Sequence, residues 1–358
     1  ISWMPTWSSI TSIIFIYTST SMQKTNRYVV SRYVDRPLLV DSLKFDMRIY
    51  VAVTSFRPLT VYVFRDGLAR FATEKYTNDP DSHKSRFQHL TNYSVNKFSE
   101  NFVANDDVDS DTGTKQSLRA LMKRLNANGV DVEMMWSRIH DLIIKTCVSI
   151  QSEVNGAVKS KVPRPNCLFQ LFGFDVLVDE NLRPWLVEVN FSPSLNTDAE
   201  IDLDIKGPMI ADLLNLAGVR ARPKKEMGTK TAATKTTNRR RSDDSMLRRF
   251  VQTDSRSGGF YRIFPNPHSF SYLKYFQDEQ KDSKSMGMMM GDVIDTKDEN
   301  EMMAEYLYDR ASTGGSEKES ETIRRVRQKK YVQKLKALDN GCMGLPFNRV
   351  WFDKEVSD

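Results

Sequence analysis

The sequence predicts an α+β domain, an antiparallel sheet with helices packed on it. Three stretches carry this. KFDMRIYVAVTS (44–55) alternates, with Phe45, Met47, Ile49, Val51 and Val53 on one face and Lys44, Asp46, Arg48 and Tyr50 on the other. LFGFDVLVDENLRPWLVEVN (171–190) reads as two strands joined at the turn signal Asp179-Glu180-Asn181 before Pro184. VEMMWSRIHDLIIKTCVSI (132–150) repeats apolar residues at helical spacing and must pack one face.

In chain order, Tyr28 to Val34 is a strand candidate that Arg36-Pro37 breaks. After the 44–55 strand and the Arg57-Pro58 turn comes a second strand, LTVYVFRD. Asp66-Gly67 is a further turn signal, and GLARFATEKY is strand again. SLRALMKRL places Leu118, Leu121, Met122 and Leu125 on one helical face, with Gly129 as its stop. After the hairpin, a helix runs from about Pro208 to Leu216, with Pro208 in its first turn and Gly218 just past its end.

Organisation follows from composition. Residues 27–220 have the make-up of a packed domain. Residues 1–26 stay unassigned: their apolar core, Ile13 to Tyr17, is far shorter than the roughly 20 residues of a membrane span, and no basic residue precedes it. They read as the edge of a fragment or a misassigned exon. Residues 221–257 form a basic, disordered linker, and 223–257 hold ten Lys/Arg against four Asp/Glu, matching the whole chain's net charge of +6. An aromatic and then low-complexity accessory segment spans 258–312, and 316–340 form a basic helix with Ser316 and Glu319 as a capping box. Cys147, Cys167 and Cys342 are too scattered for a disulfide framework or a zinc site, which points to a reducing compartment.

The chemistry gathers in the hairpin. Centred near Asn181 and Leu182, it sets Asp175 opposite Glu188, and period-two alternation puts Asn190 on the face of Glu188. Facing carboxylates repel unless a cation sits between them, and oxygen donors of this kind suit Mg²⁺ with phosphates and water. Spacing alone equally allows a hairpin with surface acids at its mouth. The polar face of Lys44, Asp46 and Arg48 is ordinary on an exposed edge strand; beside a nucleotide it would neutralise phosphate charge. HLTNYSVNK is a loop with a nascent turn, or a pocket wall made of Thr91, Asn92, Tyr93, Ser94 and Lys97. The chain has no Gly-rich P-loop or GxGxxG.

Five blocks, SRYVDRPLLVDSLKFDMRIYVAVTS, DGLARFATEKY, FQHLTNYSVNK, LFGFDVLVDENLRPWLVEVNFSPSL and DLDIKGPMIADLLNLAG, resemble the tubulin–tyrosine-ligase-like family in that family's order, over roughly residues 28–220. HLTNYSVNK and GLARFAT are similar to segments of its polyglutamylase branch, and GGFYRIFPNP resembles a segment after the core in some glutamylases. The resemblance implies an ATP-grasp-like fold that uses ATP and Mg²⁺ to add free glutamate to side-chain carboxylates of tubulin tails through an acyl phosphate. It implies that Asp175, Glu188 and Asn190 bind Mg²⁺ and that Ser31, Arg32, Tyr33 and Val34 contact adenine. It places Lys44, Asp46, Thr91 and Asn92 on the nucleotide, and Arg70, Tyr93, Ser94 and Lys206 on glutamate. Lys44, Arg48 and Glu188 are the implied catalytic set. The family's N-terminal lobe should precede Tyr28, so the resemblance covers the C-terminal part of such an enzyme.

The implied setting is a monomer on microtubules in the cytoplasm and cytoskeleton, cilium or basal body included, with no nucleic-acid or membrane partner. A second reading is an inactive microtubule-binding module that docks acidic tubulin tails through Lys224 to Arg249 and the basic face of the 316–340 helix.

Overall fold

The computed structural model describes residues 33–79, 82, 85–105, 107–162, 168–219, 252–276 and 307. Ser31, Arg32, the stretch 1–26, nearly all of the basic tract and the 316–340 helix lie outside them, as does most of the 28–34 strand. The chain forms two compact units. The first draws on Ile1–Thr54, Tyr62–Leu142 and Asn166–Tyr261, the second on Ser55–Val61, Ile143–Pro165 and Arg262–Asp358.

The sheet strands are β1 (Leu39–Val40), β2 (Leu43–Phe56), β3 (Leu59–Phe71), β4 (Lys115–Ser117), β5 (Gln170–Val178), β6 (Pro184–Asn190) and β7 (Phe260–Phe264). Their order is β4-β3-β2-β5-β6, with β1 beside β2 and β7 beside β3. The alternating stretch is therefore a central strand, and Lys44 and Asp46 are buried rather than exposed on an edge. The edge falls instead to β6, whose apolar residues are only half-buried.

Asp66-Gly67 is not a turn. β3 runs straight through it, because Gly67 lets the backbone approach β2: a Cβ there would lie 2.3 Å from the Arg48 carbonyl oxygen. Asp66 accepts from its neighbour's N–H at 2.8 Å and from the N–H of Arg119, in the helix that follows β4, at 3.3 Å, so backbone N–H groups satisfy its carboxylate.

The helices of the first unit begin with two single turns, α1 (Arg86–His89) and α2 (Tyr93–Asn96). α2 turns on the buried Asn96, whose amide donates to the carbonyls of Leu90 (2.8 Å) and Asn92 (3.2 Å) and accepts from Thr73 (3.0 Å). α3 (Leu118–Ala127) is capped by Ser117, which accepts from Ala120 N–H at 3.0 Å. α4 (Val132–Lys161) outruns the predicted helix by more than two turns.

α5 (Glu200–Ala217) starts eight residues before Pro208, which sits inside it. Its first half survives because Ile201, Ile205 and Met209 pack with Tyr50, Tyr62 and Phe64 in the core, and because Glu200 and Asp202 complement the dipole of the first turn. Gly218 ends the helix in the left-handed region at φ 72°.

In the second unit, Gln151 and Asn155, one turn apart on α4, both donate to the Phe56 carbonyl, at 2.9 and 3.2 Å. Phe264 packs against Tyr272 and Phe276 with ring centroids 6.0 Å away in each case.

Candidate active site

The site is built on one face of the first unit's sheet. Register aligns Arg48 of β2 with Asp175 of β5, and Asp175 with Glu188 of β6. One step along, Tyr50 aligns with Gly173 and Gly173 with Asn190. The hairpin count thus gives the observed pairing, but the pairing slips by one residue next to Asp175, because Val176 faces Leu186 and Val187 is the extra residue. That bulge lets Glu188 and Asn190 share the Asp175 face while Leu186 does not. Asp179 fixes the turn, accepting from the N–H groups of Asn181 (2.9 Å) and Arg183 (3.0 Å) and from the Trp185 indole (3.0 Å).

Four charged side chains interlock above these strands. Arg48 forks both oxygens of Asp175, with Nη2 at 2.9 Å from Oδ2. Arg70 of β3 forks Asp46 in the same way, with Nε at 2.9 Å from Oδ1, and its Nη2 lies 2.9 Å from Asp175 Oδ2. Burial opposes ionisation of Asp175, but the hydrogen bonds and charges of Arg48 and Arg70 outweigh it and hold the carboxyl below its ordinary range. Burial likewise works against the Arg70 charge, and Asp46 and then Asp175 more than offset it. Glu188 moves the other way: partial burial, then the adjacent Asp175, raises it.

A second cluster lies around α5. Asp202, 2% exposed, sits between two buried lysines, with Lys115 Nζ 2.8 Å from Oδ2 and Lys206 Nζ 2.9 Å from Oδ1. The Lys115 ammonium is also 4.4 Å from the Tyr93 ring centroid, and Lys206 donates to the Asn196 carbonyl. Lys115 faces Arg70 in the β3–β4 register.

A third group holds Lys44, which donates to the Tyr33 hydroxyl at 3.1 Å and the His89 carbonyl at 2.9 Å, while Tyr33 shares a hydrogen bond of 2.9 Å with His89 Nδ1. Burial pushes Lys44 down to about 8, which Asp46 only partly offsets.

Comparison with known proteins gives the family of the chain. The tubulin-tyrosine ligase family matches residues 1–228 of the 358. The chain belongs to the tubulin-tyrosine ligase family. It is 45% identical over 203 residues to the mouse tubulin monoglutamylase TTLL4, covering 57% of this chain and 17% of that protein. It is 47% identical over 191 residues to the mouse tubulin polyglutamylase TTLL5, covering 53% and 14%. With the Caenorhabditis elegans tubulin polyglutamylase ttll-5 the identity is 47% over 220 residues, covering 61% and 30%. The matched region is thus less than a third of each of these relatives.

Within this member of the tubulin-tyrosine ligase family, the residues expected at the site fall into the groups above. Asp46, Arg48, Arg70 and Asp175 join in one network, with Glu188 and Asn190 beside it. Tyr93 and Lys206 meet at the second cluster through Lys115 and Asp202. Tyr33 and Lys44 share the third, and Val34 is half-buried next in the chain. Thr91 is buried, whereas Asn92 and Ser94 are exposed at the start of α2. The Arg70 fork, expected to face a ligand carboxylate, is taken up by Asp46. A groove of about 350 Å³ lies beside Thr197, Asp198 and Leu203 rather than over Asp175.

Lys115, Asp202 and His89 were not singled out by sequence. The spacing of Asp202 and Lys206 is that of a helical i,i+4 pair, but the Lys115 partnership spans 87 residues and has no local signature.

The donor set fits Mg²⁺. Asp175 and Glu188 oppose each other, and burial first and then the facing Asp175 raise the Glu188 carboxyl, a cost that a cation between them would lower. Asn190 donates to Glu188 Oε1 at 3.0 Å, so its amide already lies at the carboxylate. Asp175 accepts two hydrogen bonds from Arg48 and pairs with Arg70 Nη2 at 2.9 Å, so its remaining lone-pair capacity for a metal is small. Among the described residues no cluster of three or more His, Cys, Asp and Glu could hold a metal, so a cation here would need the Asn190 amide, turned to present its oxygen, beside the two carboxylates.

Proposed function

We propose that this chain forms the part of an ATP-dependent acid–amino-acid ligase that holds the phosphates, Mg²⁺ and the incoming glutamate. The protein adds glutamate to side-chain carboxylates in the acidic tails of tubulin. The observation that carries this reading is the buried Asp46–Arg70–Asp175–Arg48 network beside the opposed Glu188 and Asn190. It occurs in a family member whose relatives are named tubulin monoglutamylases and polyglutamylases.

Each residue has a physical role in this reading. Asp175, Glu188 and Asn190 hold Mg²⁺, which when bound neutralises phosphate charge. Arg48 and Lys44 supply fixed positive charge toward the nucleotide phosphates, and Tyr33 and Val34 border the adenine, together with Ser31 and Arg32 outside the described residues. Asp46 orients Arg70, with Thr91 and Asn92 on the nucleotide side. Lys206, Tyr93 and Ser94 receive glutamate, Arg70 adds its charge from within the Asp46 fork, and Lys115 joins them through the second cluster. The reaction is a ligation: the acceptor carboxylate takes the γ-phosphoryl group to become an acyl phosphate, and the glutamate amine displaces phosphate from it. Partners are tubulin and free glutamate, the working form is a monomer, and the setting is the microtubule cytoskeleton. Among the described residues no helix is long and apolar enough to cross a membrane.

The test is incorporation of labelled glutamate into tubulin by the complete native protein with MgATP. Wild type incorporates label, and Glu188→Gln abolishes incorporation while its thermal unfolding stays cooperative. Wild-type rates in Glu188→Gln would refute the metal assignment. Absence of label with wild type would refute the function.

A further inference from the structure

The Lys115–Asp202–Lys206 cluster carries more than its share in binding. Two ammonium groups buried together repel and are poorly hydrated, so they need a counter-charge. Asp202 provides one, at 2.8 Å from Lys115 and 2.9 Å from Lys206. One carboxylate between two ammonium groups leaves one positive charge unbalanced within the cluster. The lysine stems are long and rotatable, yet each ammonium here is held from two sides. Lys115 is fixed by Asp202 and the Tyr93 ring, and Lys206 by Asp202 and the Asn196 carbonyl. Asp202 alone joins both, from a position 2% exposed, so it works through the lysines rather than by touching a ligand.

The cluster also adjoins the other charges. Lys115 is the register partner of Arg70, and the buried Tyr50 hydroxyl feels Arg48, Asp202, Arg70 and Asp175 together.

We propose that Asp202 is a positioning residue for the incoming amino acid, fixing Lys115 and Lys206 so that their shared surplus charge is presented to a carboxylate of glutamate. This rests on the glutamate-ligase reading above. Asp202→Asn keeps the side-chain size and removes the charge. The lysines then lose their common anchor, and affinity for the dicarboxylate ligand falls even though the cluster becomes formally more positive. Asp202→Glu keeps the charge but shifts it by one methylene.

The experiment titrates glutamate at saturating MgATP and tubulin with the complete native protein, alongside an ATP titration and a melting curve for each variant. Asp202→Asn should raise KM for glutamate about tenfold or more, with kcat and KM for ATP within about threefold of wild type. Asp202→Glu should recover part of the loss. Should Asp202→Asn fail to fold, Asp202→Glu decides by the same measure, its KM for glutamate lying above wild type with KM for ATP unchanged. An unchanged or lower KM for glutamate overturns the inference, as does a parallel loss in kcat and KM for ATP. Wild-type protein that incorporates no glutamate overturns the functional reading and this inference with it.

Discussion

Arg70→Met tests the physical core of the site. Arg70 is the only side chain that bonds both Asp46 and Asp175 among the described residues, and all three are at most 14% exposed. Methionine keeps much of the apolar stem and removes the guanidinium, leaving Asp46 without its fork and Asp175 with Arg48 alone. Breaking a buried pair from one side costs about 3–5 kcal/mol, against a total stability of about 5–15 kcal/mol. The variant should therefore unfold at markedly lower urea at pH 7.

The pH dependence has a definite sign. The folded-state carboxyl of Asp175 sits below its unfolded value of 3.8, so it contributes stability above that value that is lost as pH falls further. Arg70→Met removes one cause of the depression, so the gap to wild type is widest near neutrality and narrows on acidification. Urea unfolding at pH 7 and at about pH 3 measures both quantities. Adding Asp46→Leu should recover part of the loss, since an apolar pair replaces an orphaned carboxylate. A gap below about 1 kcal/mol at pH 7, or one that does not narrow in acid, would refute the reasoning.

Two further perturbations read other parts of the site. Lys44 is held near 8 by burial against an unfolded value of 10.5, so the unfolded state binds more protons between these values and stability should rise with pH across that window. Lys44→Met should abolish that rise in pH-dependent denaturation, and a rise that persists would locate it in another group. Gly173→Ala places a Cβ 2.9 Å from Pro193 Cβ and 3.1 Å from Arg48 Cδ. It should cost about 1–3 kcal/mol and push Arg48 off Asp175, lowering activity with little change in glutamate KM. Wild-type melting and activity would show that the neighbours yield.

The sequence made some of this legible for a local reason. Asp175 and Glu188 are joined by a short turn, so counting from Asn181 and Leu182 reaches their pairing, although the turn itself centres on Asn181 and the extra residue at Val187 is what brings Glu188 opposite Asp175. Gly129 and Gly218 marked helix ends because capping is local chemistry.

Features set by distant partners were not legible. Asp66-Gly67 looks like a turn until the Arg48 carbonyl shows why a glycine is needed in a straight strand. Pro208 looks like a helix start until the core contacts of Ile201 and Ile205 extend the helix before it. The charged face of β2 suits an edge strand until Arg70 and Asp175 supply its counter-charges. Lys115 and Asp202 meet only in three dimensions.

The central claim is that the site activates a side-chain carboxylate for attack by glutamate. Its most direct measurement uses an acceptor peptide whose side-chain carboxylates carry heavy oxygen, incubated with the complete native protein, MgATP and glutamate. The released inorganic phosphate is then analysed by mass spectrometry. Passage through an acyl phosphate predicts one heavy oxygen in the phosphate for every glutamate joined. Glutamate joined with unlabelled phosphate would contradict it.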